Sequence, residues 1–331
     1  MAQQLALGVM TRLGTDALTA LQHVRSLGVP TAHISYPAAM DNEAGVREIE
    51  AARRATDIEI TTVFCSFAGE SYANISTVQT SVGLVPEATR AERVEKTLKI
   101  ADFAHRIGVT RVAAHIGFVP ADHSDPLYAA MVQVTQHICD ELAARGQVFA
   151  LETGQETAQS LKRFIEDVKR DNLKVNFDPA NMILYGNGHP ISALDVLMPW
   201  IDGVHCKDGR WPTQDGQLGE ETPLGEGDVD LHAWLKRLLE LGYRGPITIE
   251  REISGDQQKQ DILRAVDLLV RLRRGDPGAA NMPCAPSPRC RSTTASPTPK
   301  AKSGCWRRRK TPRKASRPSA KSASRHGRAS N

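Results

Sequence analysis

The sequence predicts an α/β protein, a (β/α)8 TIM barrel over residues 1–274, followed by a basic segment at residues 275–331. Three observations carry this. Eight short apolar, β-branched runs alternate with helix-patterned segments from Leu5 to about Arg273, the period change from strand to helix being the primary signal of such units, and a barrel of this type needs ~250 residues. The runs are continuously apolar, as strands covered on both faces must be. No Gly-rich phosphate loop follows an early strand, whereas the rival doubly wound open sheet would usually carry one.

In chain order the strands are read at LALGV (5–9), TAHISY (31–36), ITTVFCSF (60–67) and VTRVAAHIG (109–117). They continue at VFALETG (148–154), LKVNFDPAN (173–181), DGVHCKDG (202–209) and PITIERE (246–252). Helices fill the intervals. In RAERVEKTLKIADFAHRIG (90–108), Val94, Leu98, Ala101 and His105 fall on one helical face, and Gly108 sits where a C-terminal cap is expected. Gly28, Gly146 and Gly242 repeat that punctuation before the next strand. Two connections are long, about Phe67–Ala88 and Gly209–Asp228. Both leave C-terminal strand ends, and loops of this length are usually functional or disordered.

Charge divides the chain. Residues 275–331 hold 14 of the 42 Lys and Arg but only one of the 38 acids, Asp276, leaving 28 bases against 37 acids in residues 1–274. The tail is poor in large apolar residues and rich in Pro, Ser, Ala and Arg, so it is expected to be disordered. Its basic blocks suit nucleic acid or another polyanion; the alternative is a solvated extension or the product of a shifted reading frame. No run approaches the ~20 apolar residues of a membrane span, and the N-terminus lacks a basic, then apolar, leader, which reads as cytoplasmic. Cys65, Cys139 and Cys206 lie in the barrel and Cys284, Cys290 and Cys305 in the tail, none in a CxxC pair, so neither a zinc ribbon nor a disulfide framework is indicated.

The chemistry concentrates at strand ends. The fifth strand ends at Glu152, the sixth at Asp178, the seventh at His205 and the eighth at Glu250. In a barrel all four point to the C-terminal mouth, where such folds keep their active sites. One imidazole with three carboxylates is an oxygen-rich set, suited to one divalent ion, Mn²⁺ first and Mg²⁺ or Co²⁺ next. Cys206 faces away from His205 by strand alternation and reads as core.

With these residues in place, the chain resembles the xylose-isomerase-like superfamily of TIM barrels, over about residues 5–273. The Glu–Asp–His–Glu order and the phrases FDPAN, VHCKDG, PLGEGDVD and GPITIERE are similar to the sugar phosphate isomerase/epimerase branch. That resemblance implies a divalent-metal-dependent isomerase or epimerase of a sugar, sugar phosphate or keto-polyol, with a small carbohydrate as partner. It implies that Glu152, Asp178, His205 and Glu250 bind the metal, and that Glu152 and Glu250 act as acid and base on opposite sides of the reacting carbon, through a cis-enediolate. A dehydratase acting on an inosose or keto-sugar shares the first proton abstraction and remains the alternative. His115 is expected either to bond a substrate hydroxyl or to be structural. Lys207 either reaches the substrate or pairs with Asp208, and Trp211 either stacks on a sugar face or packs. Arg251 and Glu252 are assigned no chemistry. The chain departs from some relatives in carrying Asn181 where they place a histidine three residues after the aspartate. With only His33, His115, His123 and His189 besides His205 near loop positions, an endonuclease IV-like three-metal site is undersupplied.

Overall fold

The computed structural model describes residues 5–274; the expectations for the tail at 275–331 lie outside the described residues. The elements, in order, begin β1 (Leu7–Thr11), α1 (Ala17–Ser26), β2 (Thr31–Ser35), α2 (Glu43–Thr56), β3 (Glu59–Phe64), α3 (Ile75–Ser81), α4 (Glu87–Arg106) and β4 (Arg111–Ala114). They continue with α5 (Pro126–Ala143), β5 (Val148–Glu152), α6 (Ala158–Val168), β6 (Leu173–Phe177), α7 (Pro179–Leu184), α8 (Pro190–Leu197) and β7 (Ile201–Cys206). The last are β8 (Asp208–Arg210), β9 (Glu220–Thr222), α9 (Leu231–Glu240), β10 (Ile247–Ile249) and α10 (Asp256–Arg274). Eight strands close a parallel barrel in the order β1-β2-β3-β4-β5-β6-β7-β10, so β10 is the eighth barrel strand. The expected TIM barrel is what forms.

The longer helices are held by buried stripes. In α6, Leu161, Phe164, Ile165 and Val168 are buried at helical spacing, and the Thr157 hydroxyl accepts from Ser160 N to cap the start. Burying such side chains is worth ~1.5–3 kcal/mol each. Trp234 of α9 is fully buried and stacks on Phe177 of β6 at 6.3 Å, coupling helix to sheet. Gly28, Gly108, Gly146 and Gly242 all take positive φ after their helices, the conformation that costs glycine least. The face read for α4 needs correcting. Val94 and Leu98 only flank the core and His105 is exposed, while Arg93, Thr97, Ile100, Ala101, Phe103 and Ala104 are buried.

Arg93 is buried because it works for the long connection after β3. Its guanidinium donates to Ser81 O (2.8 Å), Gly83 O (2.6 Å) and Ala68 O (3.2 Å). The second long connection, after β7, is ordered by the antiparallel pair β8–β9. Neither is structureless. Among the described residues, no helix is long and apolar enough to cross a membrane.

Candidate metal centre

Local sequence explains how the four ligands are aimed. Glu152 is the last residue of β5, and Asp178 follows β6 as the N-cap of α7, with Pro179 next. Asp178 Oδ1 accepts from Asn181 N at 2.9 Å, which satisfies the helix start and leaves Oδ2 for other work. The Thr153 hydroxyl donates to Asp178 O (3.0 Å) and accepts from Asp178 N (2.7 Å), locking the ends of β5 and β6 together. Gly154 takes φ +147°, and a side chain there would strike Asn181 Cβ at 2.8 Å. His205 points inward from β7, while Cys206 faces the core, its thiol pushed well up by burial. Glu250 follows β10.

These side chains converge. His205 Nδ1 lies 2.8 Å from Glu152 Oε1, 3.2 Å from Glu250 Oε2 and 3.6 Å from Asp178 Oδ2. One ligand atom from each of the four residues falls within 4.8 Å of the others. Yet Glu152 Oε1, Asp178 Oδ2 and His205 Nδ1 are buried without a well-directed hydrogen bond. Orphaned buried polar atoms are costly, and three aimed at one another fit a cation between them.

Charge makes the same case. Three carboxylates sit with one ammonium, Lys207, whose Nζ is 3.1 Å from Glu250 Oε2 and 3.9 Å from Asp178 Oδ2. Lys207 also meets Glu252 at 3.0 Å, so it offsets at most one of the three carboxylates and leaves the cluster short of positive charge. Burial opposes charge on His205, but Glu250 and Glu152 outweigh it and hold its affinity for a proton well above the usual imidazole range. Burial would likewise raise the Glu250 carboxyl, but Lys207 and then His205 hold it well below the usual range. The site thus attracts positive charge strongly.

Above the ligands opens a cleft of about 770 Å³, whose wall includes Glu152, Glu250, His115, Tyr72, Glu252 and Arg12. His115, just beyond β4, places Nε2 3.1 Å from Glu152 Oε2. Lys207 is 1% exposed and lies under the cleft, bonded to Asn181 Oδ1 (3.3 Å), Glu250 and Glu252. Asp208 is not among its partners. Asp208 instead accepts backbone N–H groups from Gly209, Gly225, Gly227 and Val229. Trp211 is half-buried, packed on the core, and not part of the cleft wall. Arg251 pairs with Glu221 and Asp261, whereas Glu252 reaches Lys207 at 3.0 Å. His123 hydrogen-bonds Arg163 on the exposed side.

Sequence reasoning missed three contributors. His33 was one histidine among several, yet its Nδ1 lies 3.1 Å from His205 Nε2. A polar residue at an inward position of an apolar strand was the available signal. Tyr72, exposed at 43%, hid in the long loop, with its ring 5.9 Å from that of His115. Asn181 stands out in the sequence only as a departure from relatives that carry histidine there, and the structure gives it a partner in Lys207.

Fold and site together define a parallel barrel with four residues at its C-terminal mouth, Glu152, Asp178, His205 and Glu250, that could hold a metal ion. The xylose isomerase-like TIM barrel family model matches residues 21–272, and the chain belongs to that family. The crystal structure of a xylose isomerase domain protein from Planctomyces limnophilus is 42% identical, with TM-score 0.77, over 83% of this chain and 99% of that one. The apo 3-keto-D-glucoside 4-epimerase of Escherichia coli shares the fold at 15% identity, with TM-score 0.61, over 81% of this chain and 99% of that one. The uncharacterised protein YihM of Escherichia coli K12 is 34% identical over 103 residues, 30% of this chain and 31% of its own. The match therefore spans about a third of that relative.

Proposed function

We propose that the chain is a divalent-metal-dependent isomerase or epimerase of a sugar, sugar phosphate or keto-polyol. The observation that carries this reading is that Glu152 and Glu250 both belong to the ligand cluster and both line the cleft. They rise at the ends of β5 and β10, which are separated around the barrel by β6 and β7, a separation that supports their acting on a substrate carbon from two sides.

A bound divalent cation, held by Glu152, Asp178, His205 and Glu250, would polarise the substrate carbonyl and offset the charge that builds up on its oxygen. One flanking carboxylate then takes the proton from the carbon beside that carbonyl, leaving the substrate as an enediolate. The other carboxylate returns a proton from the far face, and reversal exchanges their roles. Lys207, 3.1 Å from Glu250 Oε2, steadies Glu250 as an anion. His115, 3.1 Å from Glu152 Oε2, orients Glu152 and can bond a substrate hydroxyl. Tyr72 is better placed than Trp211 to cover a sugar face, since it lines the cleft.

The test uses Mn²⁺-supplemented protein, a panel of ketoses and keto-polyols, and deuterated water. Retained product mass plus one solvent deuteron identifies epimerisation or isomerisation, whereas loss of water identifies a dehydratase. Glu152→Gln and Glu250→Gln should each lower turnover by about 10²–10⁴-fold. Near-wild-type turnover in either variant defeats the two-carboxylate mechanism.

A further inference from the structure

Strand β2 carries Thr31, His33 and Ser35 at alternate positions, with Ala32 and Ile34 on the opposite, core-packed face. His33 is 1% exposed. The pairing of β2 with β3 slips between Ala32 and His33, so that Thr62 lies beside His33 and Phe64 beside Ser35; such irregularities recur next to functional sites. The Phe64 ring then stacks on the His205 ring at 5.0 Å, with an interplanar angle of 28°. It fixes the plane of the imidazole but not the position of its protons.

Those protons matter. His205 Nδ1 faces the carboxylates, 2.8 Å from Glu152 Oε1 and 3.2 Å from Glu250 Oε2. For Nδ1 to offer a lone pair to a cation, a neutral ring must carry its proton on Nε2. A buried Nε2–H needs an acceptor, because leaving it unpaired costs its full desolvation. His33 Nδ1 lies 3.1 Å from His205 Nε2, within hydrogen-bond distance, with the donor set by the two tautomers. In most metal sites the corresponding acceptor is a carboxylate, a backbone carbonyl or water. A neutral imidazole does the same work without adding charge.

We propose that His33 is a positioning residue for the metal centre, its Nδ1 accepting the Nε2–H of His205 and so holding the His205 Nδ1 lone pair on the ligand cluster. The assignment rests on the metal reading above and extends it from the four ligands to the group that orients one of them. His33 belongs neither to the four-residue cluster nor to the cleft wall. Its own proton must then sit on Nε2.

The experiment measures Mn²⁺ affinity by calorimetry on the full chain, without substrate. His33→Phe keeps a ring but removes the acceptor, and His33→Asn places an amide oxygen near the position of Nδ1. We expect His33→Phe to weaken Mn²⁺ binding by about 10–100-fold, the range for lost partners of metal-bound histidines, and His33→Asn to recover most of it. Thermal melting of chelator-treated protein checks that both variants fold. Nitrogen-15 histidine spectra of Mg²⁺-loaded wild type should show both rings with the proton on Nε2. Unchanged affinity in a folded His33→Phe, equal losses in both variants, or a proton on His33 Nδ1 would each overturn the assignment. Wild-type protein that binds no Mn²⁺ would instead overturn the metal reading beneath it, and this inference with it.

Discussion

Glu156 lies in a small cleft with Val119, Pro120, Ser160, Leu161 and Phe164, and its carboxylate accepts from Val119 N at 3.0 Å. Burial outweighs that hydrogen bond and pushes its pKa from the usual carboxylate value to about 7. The native state therefore keeps a proton that the unfolded chain has already released, and stability falls as pH rises from about 4.5 through about 7. Glu156→Gln keeps an acceptor for Val119 N and has no charge to bury. It should stabilise the barrel by ~1–3 kcal/mol at pH 8 and by little at pH 4, as read from denaturant melts at the two values. A larger gain at pH 4 would reverse the sign and remove the argument. At the metal centre, His205→Ala takes away the sole imidazole of the set. It should cut divalent-ion occupancy sharply in elemental analysis while the circular dichroism of the barrel persists.

The long connections behave as elements in their own right. Asp208 gathers four backbone N–H groups, from Gly209, Gly225, Gly227 and Val229, and so ties both ends of the 209–228 connection to the end of β7. A Cβ on Gly227 would collide with Asp208 Oδ1 and the Gly209 backbone, so glycine there is a packing requirement. Asp208→Ala leaves four donors without their partner, and hydrogen bonds to a charged group are worth ~1.5–3 kcal/mol each though not additively. The expected outcome is fast amide exchange at Gly225, Gly227 and Val229, with a loss of at least ~2 kcal/mol in stability. Retained protection at those amides would show the connection to be held otherwise. The connection after β3 touches this one through Ile75 N to Gly216 O (3.4 Å) but has its own anchors, Arg93 on three carbonyls and Glu70 on Phe67 N and Gly83 N, so protection at Phe67 and Gly83 should not change.

Across the whole barrel, the ligand cluster joins four neighbouring strands, β5, β6, β7 and β10. A cation bound there should stabilise the fold by mass action, ~2.7 kcal/mol when present at a hundred times its dissociation constant. At ~2–4 °C per kcal/mol for a domain of this class, chelation should lower Tm by roughly 5–10 °C, and Mn²⁺ should restore it. An unchanged Tm with and without chelator speaks against a bound ion. The barrel is closed by β1 against β10 and α10 ends at Arg274. A chain ending there is therefore expected to keep wild-type metal content and turnover; lost activity would give the tail a role in catalysis.

The sequence by itself determined the repeating architecture and the four strand-end positions that converge at the barrel mouth. Both are encoded locally, in the strand-to-helix change of period and in the polar residue that ends each apolar run. It also determined the inward and outward senses of His205 and Cys206, because alternation along a strand is a property of the backbone. Only the tertiary structure decided who partners whom. His33 and His205 are 172 residues apart, and nothing local to either announces the other. Lys207 stands next to Asp208, yet one stabilises Glu250 and the other holds a loop. Arg93 is buried on α4 because a connection folded back onto that face offered three carbonyls, a demand that helical periodicity cannot register. Contacts between distant segments depend on barrel closure, which brings strand ends together according to their order around the ring rather than their distance along the chain.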